Sequence, residues 1–69
     1  MKKIKIKVNG KIRFVSETYK LSDLIKRLKI PMKKVAIELN KEIIDKKNIN
    51  KITLKKNDKI EIVHFIGGG

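Results

Sequence analysis

Charged and apolar residues alternate over residues 3–8, which is the period of a strand that buries one face. Asn9-Gly10 follows, and this pair favours a two-residue hairpin turn because both residues tolerate positive φ. Residues 11–15 then return as a second strand. We expect an apolar hairpin face formed by Ile4, Ile6, Val8, Ile12 and Phe14, and a basic face formed by Lys3, Lys5, Lys7 and Arg13.

The period of the pattern changes after a polar connection over residues 16–20. Apolar residues then recur at the spacing of an amphipathic helix, at Leu21, Leu24, Ile25 and Leu28. Asp23 lies early in this segment, where a negative charge suits the helix dipole. Pro31 is expected to end the helix, since the residue before proline avoids the α region. The apolar stripe indicates one helix packed on the core.

The second half of the chain returns to strand patterns. Residues 35–39 predict a third strand, residues 43–44 a short apolar stretch, and residues 59–66 a long final strand. Residues 45–50 are loop-like, with Ile49 as an anchor, and Ile52 and Leu54 are expected to tuck beneath the sheet. A mixed apolar run suits a central strand, so we place the last strand beside the first and parallel to it. The predicted fold is α+β: a β-grasp with a mixed sheet of four to five strands and one main helix across one face.

The composition narrows the classes of function. The chain has 69 residues and a net charge of +12, which on its own would suit a polyanionic partner. Nearly all the basic residues are lysines and aromatic residues are few, so we predict against nucleic-acid binding. Cysteine is absent and His64 has no clustered partner ligands, so no metal site is expected. No apolar run is long enough to span a bilayer, and we expect a cytoplasmic protein, monomeric by itself.

The C-terminal segment is the exception to a chain without recognisable chemistry. The seven carboxylates are scattered and no nucleophile has a base at a suggestive spacing, so we predict that the protein is not an enzyme. Gly67-Gly68-Gly69 directly follows the last predicted strand. Three residues without Cβ atoms can pass a narrow channel and carry a carboxylate about 10 Å from the domain. We therefore expect a β-grasp domain over residues 1–66 and a flexible tail over residues 67–69, whose carboxyl group another enzyme activates.

Four segments of the chain resemble the ThiS family of sulfur carriers in thiamine biosynthesis. They are Asn9-Gly10, residues 35–40, residues 57–63 and the ending over residues 64–69. Asn57-Asp58 stands where many members have Gly-Asp, and asparagine tolerates the left-handed conformation nearly as well. The resemblance implies a ubiquitin-like β-grasp fold, with no cofactor bound.

The resemblance also implies the chemistry and the partners. Gly69 would be adenylated with ATP by a ThiF-type activating enzyme, and a sulfur donor protein would convert it to a thiocarboxylate. A ThiG-type thiazole synthase would accept the sulfur. Gly67 and Gly68 would pass into the partner's active site.

The alternation of the last strand predicts that Ile60 and Ile62 face the helix, which leaves Glu61, Val63 and Phe65 on the outer face. Val63 and Phe65, with the neighbouring Ile66, are therefore candidate docking residues.

Other readings of the same residues remain open at this point. A carrier for molybdopterin, cysteine or tRNA thiolation would share the chemistry and differ in the acceptor. A small basic nucleic-acid-binding domain would bind in a salt-dependent way without its tail. A covalent protein modifier would form isopeptide conjugates.

Overall fold

A computed structural model describes residues 2–64 of the chain. Its strands are β1 (Lys3–Val8), β2 (Lys11–Ser16), β3 (Val35–Leu39), β4 (Glu42–Ile43) and β5 (Lys59–His64). They form one five-stranded sheet in the order β2-β1-β5-β3-β4. The helix α1 (Leu21–Arg27) follows the first hairpin, and short 3₁₀ segments cover Met32–Lys34 and Lys46–Lys51. β5 runs parallel to β1 and antiparallel to β3, so the predicted ubiquitin-like β-grasp is confirmed.

The first hairpin turns at the predicted residues, but the side chains of β2 point to the opposite faces of the sheet from those expected. Asn9 and Gly10 both have positive φ, at 50° and 81°, as a type I′ turn requires. Val8 therefore pairs with Lys11, and each even-numbered residue of β1 stands opposite an odd-numbered residue of β2. Directly opposed residues share a face of the sheet.

The expected division of the hairpin faces is therefore wrong for β2. Ile12 and Phe14 lie with Lys7 and Lys5 on the face away from the helix, and Arg13 lies on the helix side, opposite Ile6. Across a two-residue turn, even-numbered residues of one strand pair with odd-numbered residues of the other. The alternation within each strand alone does not reveal this pairing.

The helix covers one face of the sheet and ends before the proline. Leu21 and Leu24 are fully buried, as the spacing predicted. Lys29 adopts positive φ after the last turn, and the Ile30 N–H donates to the Ile25 carbonyl at 3.2 Å. This is a Schellman ending, so the helix stops by its own hydrogen bonds and not at Pro31 as expected. Within residues 2–64, no helix combines the length and apolar character needed to cross a membrane.

The core lies between the helix and the inner sheet face. Its buried apolar side chains come from the helix, from three strands and from the segment before the last strand: Ile6, Val8, Leu21, Leu24, Ile25, Val35, Ile37, Leu54, Ile60 and Ile62. Ile49 and Ile52 pack against this cluster, as predicted.

The start of β5 is fixed by a hydrogen-bonded cluster of polar side chains. The Asp58 carboxylate accepts from the Lys55 N–H at 2.7 Å and from the Asn40 side-chain amide at 3.0 Å. The Asn40 side-chain carbonyl accepts in turn from the Lys59 N–H at 3.0 Å. Asn57, just before, has φ of 69°, which confirms that asparagine takes the left-handed position there. The cluster ties the β3–β4 turn to the first residue of β5.

Replacing Asp58 is expected to loosen this attachment. Asp58→Ala would leave the Lys55 N–H and the Asn40 amide without partners, at a cost of about 1–3 kcal/mol in the free energy of unfolding. Urea denaturation measures the change. The matched control is Asp45→Ala, because the exposed Asp45 carboxylate also accepts one backbone N–H, from Lys47. The control should lose about 1 kcal/mol or less; equal losses in the two variants would contradict the role given to Asp58.

Candidate functional site at the end of the last strand

The predicted site residues divide at the end of β5. Val63 lies within β5, one residue before the strand ends at His64. The others, Phe65, Ile66, Gly67, Gly68 and Gly69, lie outside the described residues. The structure therefore describes the site only up to the last residues of β5 and the elements that hold them.

Asn9 holds the second half of β5 in place. β1 ends at Val8, where the chain turns away, so the strand has no further peptide group to offer β5. The Asn9 N–H donates to the Ile60 carbonyl at 2.9 Å, and the Asn9 side-chain carbonyl accepts from the Ile62 N–H at 2.7 Å. The asparagine side chain thus continues the ladder for one more step. Ile62 is buried, and its N–H would otherwise lack a partner, at a cost of about 1–3 kcal/mol.

The outer face of the sheet, which the helix does not cover, carries apolar side chains around the end of β5. Val63 is 49% exposed and stands directly opposite Ala36 of β3. Ile43 of β4 is 75% exposed and lies on the same face, opposite Glu38. We call Val63, Ala36 and Ile43 the exit patch; Glu38 of β3 lies on the same face, between Val63 and Ile43. Exposed apolar side chains gathered on one face are a common feature of protein interaction sites.

The placement of Val63 agrees with the sequence prediction. Ile60 and Ile62 are buried beneath the helix, and Glu61 and Val63 face outwards. Two other contributors were missed. The sequence shows Ile43 only as part of a short apolar stretch, and its pairing with β3 places it on the outer face. The sequence indicates only a turn at Asn9, because no local pattern reveals a hydrogen bond across 53 positions.

The described residues at this site can bind a partner and hold β5 in place. No group of three or more His, Cys, Asp or Glu side chains comes together over residues 2–64 in a way that could hold a metal ion. His64 lies at the end of β5, exposed, opposite Val35. The arrangement presents the exposed side chains of Val63 and Ile43, with Glu38 between them, beside a strand that Asn9 holds as far as Ile62.

Comparison with known proteins identifies relatives of this arrangement. The ThiS family model matches residues 3–69. The sulfur carrier protein ThiS of Bacillus subtilis is 40% identical over 65 residues, which cover 93% of this chain and 98% of that protein. A crystal structure of the thiamine biosynthesis protein ThiS from Geobacter metallireducens superimposes with a TM-score of 0.82 at 32% identity, covering 96% of this chain and all of that one.

A second kind of relative is a larger protein. The thiazole synthase of Paramagnetospirillum magneticum is 38% identical over 66 residues, which are 96% of this chain but only 20% of that protein. The family model spans residues 3–69, and the match to the Bacillus relative covers 93% of the chain. The chain therefore belongs to the ThiS family.

Proposed function

We propose that this sulfur carrier of thiamine biosynthesis holds its sulfur as a thiocarboxylate on Gly69. The observation that carries the proposal is the family match, which continues through Gly69 beyond the last strand. The anchored end of β5 supports it, because Asn9 fixes the strand up to Ile62 and so sets where residues 65–69 begin. Gly67 and Gly68 would supply the reach that brings the carboxyl group into a partner's active site.

The chemistry requires an activated carboxyl group. A carboxylate oxygen of Gly69 would attack the α-phosphorus of ATP, form an acyl-adenylate and release pyrophosphate. Hydrosulfide would then attack the carbonyl carbon, and AMP would leave with the C–O bonding electrons. A donor protein that carries the sulfur as a persulfide would need a thiol reductant to cleave the S–S bond and release the sulfur at this oxidation level. The product is a thiocarboxylate. The partner enzyme supplies the ATP site, and the carrier itself is a co-substrate and not a catalyst.

Two enzyme partners follow from this chemistry. The activating partner would be a ThiF-type adenylating enzyme, and the acceptor a ThiG-type thiazole synthase. The Paramagnetospirillum relative supports the second partner, because that thiazole synthase contains a segment similar to this chain within one polypeptide. We place both steps in the cytoplasm, where ATP is available to the activating enzyme.

Intact-mass spectrometry tests the proposal. The protein is incubated with ATP, a ThiF-type enzyme and a sulfide source. A gain of about 16 Da, one oxygen exchanged for sulfur, is expected. Fragmentation should place the added mass on Gly69.

The control for this experiment is a variant lacking Gly69. It keeps residues 2–64 unchanged and should gain no mass. An unmodified wild-type protein under conditions that load a Bacillus subtilis ThiS control would overturn the proposal, and so would a mass gain that survives deletion of Gly69.

The exit patch is expected to contribute to docking on the activating enzyme. Val63→Ser removes about 1–1.5 kcal/mol of apolar burial, so the KM for the carrier should rise about five- to tenfold, with kcat nearly unchanged. Ile12→Ser is the matched control, since Ile12 lies on the same sheet face, is 54% exposed and sits on the far edge strand. It should leave KM unchanged. Equal effects of the two substitutions would rule out specific docking through Val63.

A further inference from the structure

A groove lies between the open edge of β2 and the helix, away from the exit patch. Its volume is about 390 Å³. The lining residues combine apolar side chains, hydroxyl groups and cations: Lys3, Ile12, Arg13, Phe14, Val15, Ser16, Tyr19, Leu24 and Arg27. We call this the β2–α1 groove. None of its lining residues is an aspartate or a glutamate.

Both arginines of the chain line this groove. The protein has 19 basic residues, and all others are lysines, so the two guanidinium groups are concentrated at one place. Arg13 projects to the helix side of β2, and Arg27 is the last residue of α1. Neither guanidinium forms a hydrogen bond or an ion pair with another residue in the range 2–64. Guanidinium forks suit carboxylates, with which they form paired hydrogen bonds.

The backbone of β2 is also available at this groove. β2 is the first strand in the sheet order, so one of its sides has no neighbouring strand. Hydrogen-bonded and non-hydrogen-bonded residue pairs alternate along an antiparallel hairpin. The Glu17 N–H donates to the Lys2 carbonyl at 3.0 Å, so Lys2 and Glu17 are a hydrogen-bonded pair and every second pair after them is too. Val15, Arg13 and Lys11 accordingly bond towards β1, and the peptide groups of Ile12 and Phe14 point to the open edge.

The side chains along this edge alternate in character. Ile12 and Phe14 are 54% and 65% exposed on the outer face. Arg13 and Val15 lie on the helix side, towards Arg27. A strand added to this edge would therefore meet apolar side chains on one face and guanidinium groups on the other.

We propose that the β2–α1 groove binds an extended acidic segment of a partner protein, which adds to β2 as a further strand. Carboxylates on alternate residues would pair with Arg13 and Arg27, and the intervening apolar residues would cover Ile12 and Phe14. Charge complementarity selects this occupant, because the groove is cationic and lacks acidic lining residues. A second copy of the chain fits poorly, since β2 pairing with β2 would bring the basic residues of two identical strands together.

The location makes this a second interaction surface. β5 runs parallel to β1 and continues past the hairpin turn, so the exit patch lies towards that end of the sheet. The groove lies along the edge of β2 and reaches Ser16 and Lys3 at the other end of the hairpin. A partner held at the groove would leave the end of β5 accessible to the enzymes that load and unload the carrier.

The test is an NMR titration of the full chain with a capped peptide of alternating valine and aspartate, seven residues long. Saturable shifts are expected at the Ile12 and Phe14 amides, together with slower hydrogen exchange at both, because each donates to the added strand. Arg13→Glu and Arg27→Glu should each weaken peptide affinity about tenfold. Lys41→Glu changes the charge equally in the β3–β4 turn, at the opposite edge of the sheet, and should have little effect.

Several results would overturn the proposal. One is no saturable binding, and another is an equal loss of affinity from Lys41→Glu, which would indicate attraction to net charge only. Shifts at the groove without slower exchange of the Ile12 and Phe14 amides would exclude strand addition. Equal shifts with inorganic phosphate, or tighter binding of a single-stranded oligonucleotide at the same residues, would assign the groove to another ligand class.

Discussion

The Asn9 side chain accepts a hydrogen bond from the Ile62 N–H at the point where β1 has already turned away. A central strand needs partners on both sides along its whole length, because buried peptide groups without partners are costly. β3 supplies one side of β5 as far as His64. On the other side, β1 ends too early, and the Asn9 side-chain carbonyl continues the ladder to Ile62. The position of the last described residues of β5 depends on this bond.

The same strand is secured at its start by Asp58 and Asn40. Their side chains connect the β3–β4 turn, the preceding loop and the Lys59 N–H. Polar side chains therefore hold β5 at Lys59 and at Ile62, and the side chains of Ile60 and Ile62 are buried in the core. A chain of this size has one helix to cover one sheet face. The other face remains open, and it carries the exposed apolar residues near the end of β5.

Along β5, residues that stabilise the fold alternate with residues that are available for function. Alternate residues of β5 belong to the core, and those between them face outwards beside the segment that carries the proposed chemistry. The free edge of β2 lies at the far side of the same sheet. A small carrier can in this way present one surface to the enzymes that act on its C-terminus and another to a partner that holds it.

Much of this arrangement could be predicted from the sequence because it follows from local patterns. The hairpin turn, the helix stripe and the central position of β5 follow from Asn9-Gly10, from the spacing of Leu21 and Leu24, and from the apolar run of the last strand. The facing of Ile12, Phe14 and Arg13 could also have been obtained, since a two-residue turn fixes the pairing. The bond from Asn9 to Ile62 could not, because it depends on where two distant segments meet.

Native-state amide exchange measures the central claim most directly. If the Asn9 side chain completes the ladder, the Ile62 amide in the wild-type protein should open with a free energy close to that of Leu24 in the helix core. Asn9→Gly keeps the left-handed turn and removes the acceptor, so it should lower the opening free energy of Ile62 by about 1–3 kcal/mol relative to Leu24. Asn9→Asp retains an acceptor and should remain close to wild type. An Ile62 amide that exchanges freely in the wild type, or that Asn9→Gly leaves unchanged, would contradict the account.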